Sequence, residues 1–227
     1  MIRLVSVDKT FRIGDEEISA LRDVSIEFQP RCITAVMGPS GCGKSTLLGV
    51  AGGLQAPDRG SVTVGDVELA SAGERELCRL RRQVIGFIFQ SYNLIEMLSV
   101  VENVALPMEL DGRSRRESRA AAQAALDDVG LLSLAARRPG SLSGGQRQRV
   151  AIARALTGGR TVLLADEPTG ALDSDNSVMV MDTLAELAAA GVMCLLVTHD
   201  DQVAARAGTI VRMVDGRVVT PEPAPVG

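Results

Sequence analysis

Apolar residues in the first third of the chain fall in short β-branched runs, "IRLVSV", "DVSIEF" and "CITAVM", each bounded by polar residues or by Gly and Pro. That pattern predicts strands. After a glycine-rich stretch at Gly38–Thr46, "LLGVAGGL" predicts a helix ended by its own glycines and by Pro57. "SVTVGDVEL" reads as a hairpin around Gly65–Asp66, and "VIGFIFQ" as a strand that ends at Gln90. From about Val100 to Leu134 the pattern is helical, including the Ala-rich "SRRESRAAAQAALDDVG". From Arg147 onward helical and buried-strand segments alternate: "VAIARAL", "TVLLADEP", "SVMVMDTLAELAAAG", "MCLLVTHD", "DQVAARAG" and "TIVRMVDGRVV". Alternation of this kind implies an α/β unit with a largely parallel sheet covered on both faces. The helical middle, about 91–145, is then a lobe inserted into a single domain of residues 1–220. The tail "TPEPAPVG" is too Pro-rich to order itself, so residues 221–227 are expected to be disordered.

Composition narrows the options. Hydrophobic residues make up 46% of the chain but aromatics only 2%, so the core is built from Val, Leu, Ile, Ala and Met. The net charge is −4 and no basic segment is interleaved with aromatics, which argues against nucleic acid as a partner. The four cysteines show no metal-ligand or C-x-x-C spacing, in keeping with a reducing compartment. The N-terminus lacks a signal-peptide pattern, and no apolar run approaches the roughly 18 residues needed to span a bilayer. A chain that is soluble by itself is expected.

The chemistry starts at "GPSGCGKST", Gly38–Thr46, which matches G-x-x-x-x-G-K-S/T between an apolar strand and a helix. Glycines there (Gly38, Gly41, Gly43) let backbone N–H groups of Pro39-flanked Ser40, Cys42 and their neighbours approach phosphate oxygens, and the helix N-terminus adds partial positive charge. Lys44 is placed to pair with the β- and γ-phosphates and the Ser45 hydroxyl to ligate Mg²⁺. Cys42, close to that helix N-terminus, is read either as a small residue tolerated at a variable position or as a thiolate whose alkylation would block nucleotide binding. "VLLADEP" is an apolar strand closing on Asp166, suited to Mg²⁺ through water, and Glu167, suited to orienting or deprotonating an attacking water. His199, the chain's single histidine, follows a second buried strand at its C-terminal end, where a γ-phosphate contact is favoured. Gln90 could reach the metal or the water.

A second phosphate-like helix start, "SLSGGQRQRVAIARAL", begins at Ser141, about a hundred residues downstream of the first. With it the chain resembles the ATP-binding subunits of ABC transporters over nearly its whole length. The resemblance implies a P-loop NTPase core with a mainly parallel sheet, an N-terminal antiparallel β subdomain and an inserted α-helical lobe. It makes Phe11 the adenine-stacking aromatic, Gly38–Thr46 Walker A and Gln90 the Q-loop, a further metal ligand. "LSGGQ" is the signature, with Ser143, Gly144, Gly145 and Gln146 as nucleotide contacts; "GALD", ending at Asp173, is the D-loop; His199 is the switch histidine. It also implies that two copies pack head-to-tail around two ATPs, each held by one chain's Gly38–Thr46 and the other's Ser143–Gln146.

"NLIEMLSVVENVALP" and "ADEPTGALDS" are similar to the branch that includes macrolide exporters, lipoprotein-release ATPases and the cell-division ATPase FtsE. This implies a partner permease, a place on the cytoplasmic face of the membrane, and export or mechanical transmission. In the family the region just after Gln90 receives the permease. The Arg clusters at Arg79–Gln83 and Arg113–Arg119 read as solvated helix faces. The alternative is a soluble ABC-type ATPase not coupled to transport. The short spacing from Gln90 to Ser143 and the single cassette disfavour its DNA-repair and translation-factor forms.

Overall fold

The computed structural model describes residues 1–219 and 222–223. The first elements in chain order are β1 (Ile2–Ile13), β2 (Glu16–Phe28), β3 (Ile33–Met37), α1 (Lys44–Ala51), β4 (Arg59–Val64), β5 (Val67–Glu68), α2 (Glu74–Gln83) and β6 (Ile85–Ile88). The helical middle supplies α3 (Val100–Leu110), α4 (Arg115–Asp128) and α5 (Gly144–Leu156). The chain then runs through β7 (Val162–Asp166), α6 (Ser174–Ala189), β8 (Met193–Val197), α7 (Asp201–Ala205), β9 (Thr209–Val214), β10 (Arg217–Val218) and β11 (Glu222–Pro223).

The larger sheet has the order β10-β9-β3-β8-β7-β6, parallel from β9 through β6. Its central strands β3 and β8 are buried along their whole length, the condition that makes apolar runs continuous rather than alternating. Along β7 and β8, Leu164 and Leu195 pack on one face with α1 and the antiparallel sheet, while Leu163 and Leu196 pack on the other. That second face is covered by α5, α6 and α7 through Ile152, Met181, Leu184 and Val203. Ile152 is fully buried, so Ile152→Val should lower unfolding free energy by about 1 kcal/mol, read from the denaturant midpoint at unchanged slope.

The smaller sheet is antiparallel, β2-β1-β4-β5, as the family resemblance implies. Its first two strands run well beyond the predicted "IRLVSV" and "DVSIEF". Ser6 and Asp23 take positive φ, 48° and 51°, and the β1–β2 register shifts between Leu4 and Val7. Such bulges break the two-residue alternation, so the sequence pattern stops where the strand continues. A correction in the opposite sense applies to β6, which ends at Ile88; Gln90 lies two residues further on, exposed, in a turn.

The helices α3 and α4 each begin with a full capping box, Ser99 with Glu102 and Ser114 with Glu117. Together with α5 they enclose a separate cluster of Val100, Val104, Leu126, Leu142 and Val150. The helix α5 serves both bodies: Val150 and Ala153 face the lobe, Ile152 and Ala155 the sheet. Within the tail, Glu222–Pro223 pair antiparallel with β9 rather than standing free; residues 220, 221 and 224–227 lie outside the described residues.

Candidate active site

The C-terminal ends of β3, β7 and β8 meet at one edge of the large sheet. From β3 the chain enters the Gly38–Gly43 loop, and Gly43, at φ 103°, caps α1. A Cβ at Gly43 would stand 2.2 Å from the Ala20 carbonyl oxygen, so the loop can lie this close to β2 only with glycine there. Lys44 is 9% exposed, and its Nζ donates to the carbonyls of Gly38 at 2.8 Å and Pro39 at 2.9 Å. The loop therefore curls around a cation.

Ser45 Oγ donates to Asp166 Oδ1 at 3.2 Å, joining the start of α1 to the end of β7. A hydroxyl and a carboxylate oxygen are hard donors that suit Mg²⁺, which takes few protein ligands and keeps water and phosphate oxygens as the rest. Among the described residues no group of three or more His, Cys, Asp or Glu side chains is placed to hold a metal ion.

Parallel pairing of Asp166 with Val197 places the residues after both strands side by side. Glu167 takes φ 49°, donates its N–H to the Val197 carbonyl at 3.0 Å, and sets its Oε1 2.7 Å from His199 Nδ1. The Glu167 side chain is 15% exposed and that of His199 72%. The hydrogen bond to Glu167, and then its charge, hold the imidazole above its ordinary pKa of 6.5 against the opposing effects of desolvation and, last, Lys44. The sign follows: a raised folded pKa means that the pair stabilises the fold fully below about pH 6.5 and that this contribution fades as pH rises through the raised value. Because the chain has one histidine, NMR titration of its ring resonances should give a midpoint above the ordinary value, returning toward it in Glu167→Gln. A cavity of 290 Å³ opens beside this pair, bordered by Gly170, Met181 and Arg206.

Phe11 is brought to the loop. It lines a second cavity, of 250 Å³, with Gly41, Gly43, Lys44, Ser45 and Thr46, and Lys9 Nζ lies 5.6 Å from its ring centroid. Cys42 is turned the other way: it is 5% exposed and part of the hydrophobic cluster under the antiparallel sheet. That burial fits a small residue packed in the core and not a thiolate open to alkylation, and maleimide should label Cys42 slowly in the folded chain and readily after denaturation.

Ser143 caps α5, its Oγ accepting from the Gln146 N–H at 3.3 Å while Gln146 Oε1 accepts from the Ser143 N–H at 3.0 Å. The closest neighbours of a Cβ placed at Gly144 are Tyr92 Oη, Ala171 O and Leu172, and at Gly145 they are atoms of Asn176. None comes from the 38–46 loop. Asp173 caps α6, and both its carboxylate oxygens are taken by Asn176, whose backbone N–H above all pulls the Asp173 pKa below the usual range. In the single chain its side chain thus holds the start of α6.

The family model described as ABC transporter matches residues 21–170, well over half of the chain. The chain belongs to the ABC transporter family. It is 46% identical over 219 residues to the macrolide export ATP-binding/permease protein MacB of Burkholderia pseudomallei, covering 96% of this chain and 34% of that one. The pyoverdine export ATP-binding/permease protein PvdT of Pseudomonas entomophila is 44% identical over 97% of this chain and 34% of its own length. The chain thus spans about a third of the length of these curated relatives. A dimeric structure of a post-hydrolysis state of the ATP-binding cassette MJ0796 bound to ADP and Pi superposes with TM-score 0.92 at 39% identity, covering 100% of both chains. The fold of this ABC cassette, with its antiparallel sheet and its larger, mostly parallel one, is that of the solved ATP-binding cassettes.

Two residues of the ABC chain that pattern reading missed shape the segment after Gln90. Asn103 is fully buried; it accepts from the Ile95 N–H at 2.7 Å and donates to the carbonyls of Ile95, Leu98 and Ser99. Arg154 donates to the carbonyls of Tyr92, at 2.7 Å, and Asn93, both of which have positive φ. The only sequence signal was a polar residue on an otherwise apolar helix face. Among the described residues, no helix is long and apolar enough to cross a membrane.

Proposed function

We propose that residues 1–220 form a single ATP-binding domain that hydrolyses ATP to ADP and phosphate and, as one half of a homodimer, drives a membrane permease. The observation that carries this is the convergence of Lys44, the Ser45–Asp166 pair and the Glu167–His199 pair at the ends of three adjacent parallel strands. The adenine stacks on Phe11, and the phosphates lie in the Gly38–Thr46 loop against the N-terminus of α1. Lys44 exchanges its two carbonyl partners for phosphate oxygens. Ser45 and Asp166, together with Gln90, would hold Mg²⁺, which when bound would neutralise charge on the β- and γ-phosphates.

Glu167 has one carboxylate oxygen on His199 and the other free to accept a proton from the water that attacks the γ-phosphorus in line. His199, largely exposed, is free to turn toward the γ-phosphate. Ser143–Gln146, whose neighbours are not this chain's own loop, close over the ATP of a second copy. Exposed Ile95 and Met97, in the segment pinned by Asn103, provide the apolar contact for the permease at the cytoplasmic face, for export or mechanical transmission.

Dilution tests the shared site. Hydrolysis per chain at saturating ATP should fall steeply as protein is diluted below the dimer dissociation constant. A constant rate per chain at concentrations where the ATP-loaded protein is monomeric contradicts the reading.

A further inference from the structure

Lysine occupies only two of the chain's 24 basic positions. One is Lys44 in the phosphate loop; the other is Lys9, two residues before Phe11 on β1. The strand β1 pairs with β4 only as far as Asp8, opposite Arg59, whereas its pairing with β2 continues to Ile13. Phe11 is therefore carried on a two-stranded ribbon that overhangs the antiparallel sheet, and the ribbon's register shifts between Lys9 and Thr10. Two strands by themselves are marginally stable at best, so an aromatic placed there needs a brace.

Asp58, one residue before β4, supplies it. Its backbone N–H donates to the Asp8 carbonyl at 2.9 Å. One carboxylate oxygen accepts from Lys9 Nζ at 2.9 Å and the other from the Thr10 N–H at 2.6 Å. Those two bonds, the lysine's first, hold the Asp58 carboxyl below its ordinary range. The Lys9 side chain is 16% exposed, and its Nζ lies 5.6 Å from the Phe11 ring centroid, within the reach of cation–π attraction. Phe11 and Ile18, opposite each other across the ribbon, border the 250 Å³ cavity with the phosphate loop, and Lys9 does not. The ammonium thus meets the ring from outside that cavity and leaves the cavity side to a ligand.

We propose that Lys9 and Asp58 are positioning residues for nucleotide binding, which together brace the overhanging ribbon and hold the Phe11 ring in place for the base. The inference rests on the stacking of adenine on Phe11 and adds what fixes the ring before the nucleotide arrives. A ring already in place loses less freedom on binding, so the brace acts on affinity and not on chemistry at the γ-phosphate.

The test measures dissociation constants for ATP and for tripolyphosphate, which lacks the base, by calorimetry on the full chain at monomeric concentration. Lys9→Met and Asp58→Ala should each weaken ATP about two- to fivefold, the range of an exposed cation–π contact, and leave tripolyphosphate unchanged. In hydrolysis, KM for ATP should rise by the same factor with kcat within about twofold. The two substitutions change the local charge in opposite senses. Simple attraction of the phosphates would therefore make Lys9→Met weaken both ligands and Asp58→Ala strengthen both, and that pattern overturns the proposal. In a Phe11→Ala chain, itself weaker for ATP, neither substitution should weaken ATP further; an undiminished effect there overturns it too. If Phe11→Ala weakens ATP while Lys9→Met and Asp58→Ala do not, the brace is overturned and the stacking reading stands. Unchanged ATP affinity in Phe11→Ala removes both.

Discussion

Glu167→Gln should bind ATP as the unaltered chain does and hydrolyse it about 10²–10⁴-fold more slowly, the range for loss of a positioned general base. The substitution keeps the size of the side chain, and the backbone bond from Glu167 N–H to the Val197 carbonyl is untouched. What it removes is the carboxylate that accepts from His199 and from the attacking water. Phosphate contacts through Lys44 and the start of α1 do not involve this side chain, so binding survives and the ATP-bound dimer accumulates. Single-turnover hydrolysis with size-exclusion chromatography checks both halves. Near-normal turnover would remove Glu167 from the chemistry, and weakened ATP binding would show that its role is structural.

Gly144→Asp should abolish ATP-driven association while leaving nucleotide binding to the single chain nearly intact. Gly144 opens α5, where a carboxylate is favoured by the helix dipole, and a Cβ there meets Tyr92 Oη at 3.3 Å and Ala171 O at 3.6 Å, a contact the tyrosine can yield to. The neighbouring position is a poorer choice, because a Cβ at Gly145 would come 2.4 Å from Asn176 Oδ1 at the start of α6. The new negative charge would face the partner's γ-phosphate, and like charges set together at an interface cost several kcal/mol, a loss of at least about a hundredfold in dimer affinity. Equilibrium sedimentation with ATP, alongside nucleotide binding at monomeric concentration, separates the two effects. Loss of both together would mean that the signature helix supports its own chain's site.

Much of this fold was legible because its central strands are buried on both faces: "CITAVM", "TVLLADEP" and "CLLVT" need no alternation to be recognised. The phosphate loop and the signature were legible because their residues are contiguous in sequence, although the need for glycine at Gly43 and Gly145 comes from the approach of Ala20 and Asn176. What escaped depends on non-local pairing. Nothing in the sequence states that Glu167 and His199, 32 residues apart, are hydrogen-bonded; that follows from the Asp166–Val197 register. Bulges at Ser6 and Asp23 erase the alternation that marks a strand, and the inward turn of Cys42 reflects how its loop packs on the core rather than its proximity to a helix end. Asn103 and Arg154 were hidden because they act through backbone carbonyls of another segment.

Mixing two crippled chains tests the shared-site account most directly. A chain with Lys44→Ala retains a sound signature, and a chain with Gly144→Asp retains a sound phosphate loop; neither should associate with ATP alone. In the mixed dimer one site is doubly defective and the other pairs a sound loop with a sound signature. The account predicts that the mixture recovers ATP-dependent association, measured by fluorescence transfer between differently labelled chains. A mixture that associates no better than either chain alone would contradict it, because each chain would then need both its loops for its own ATP.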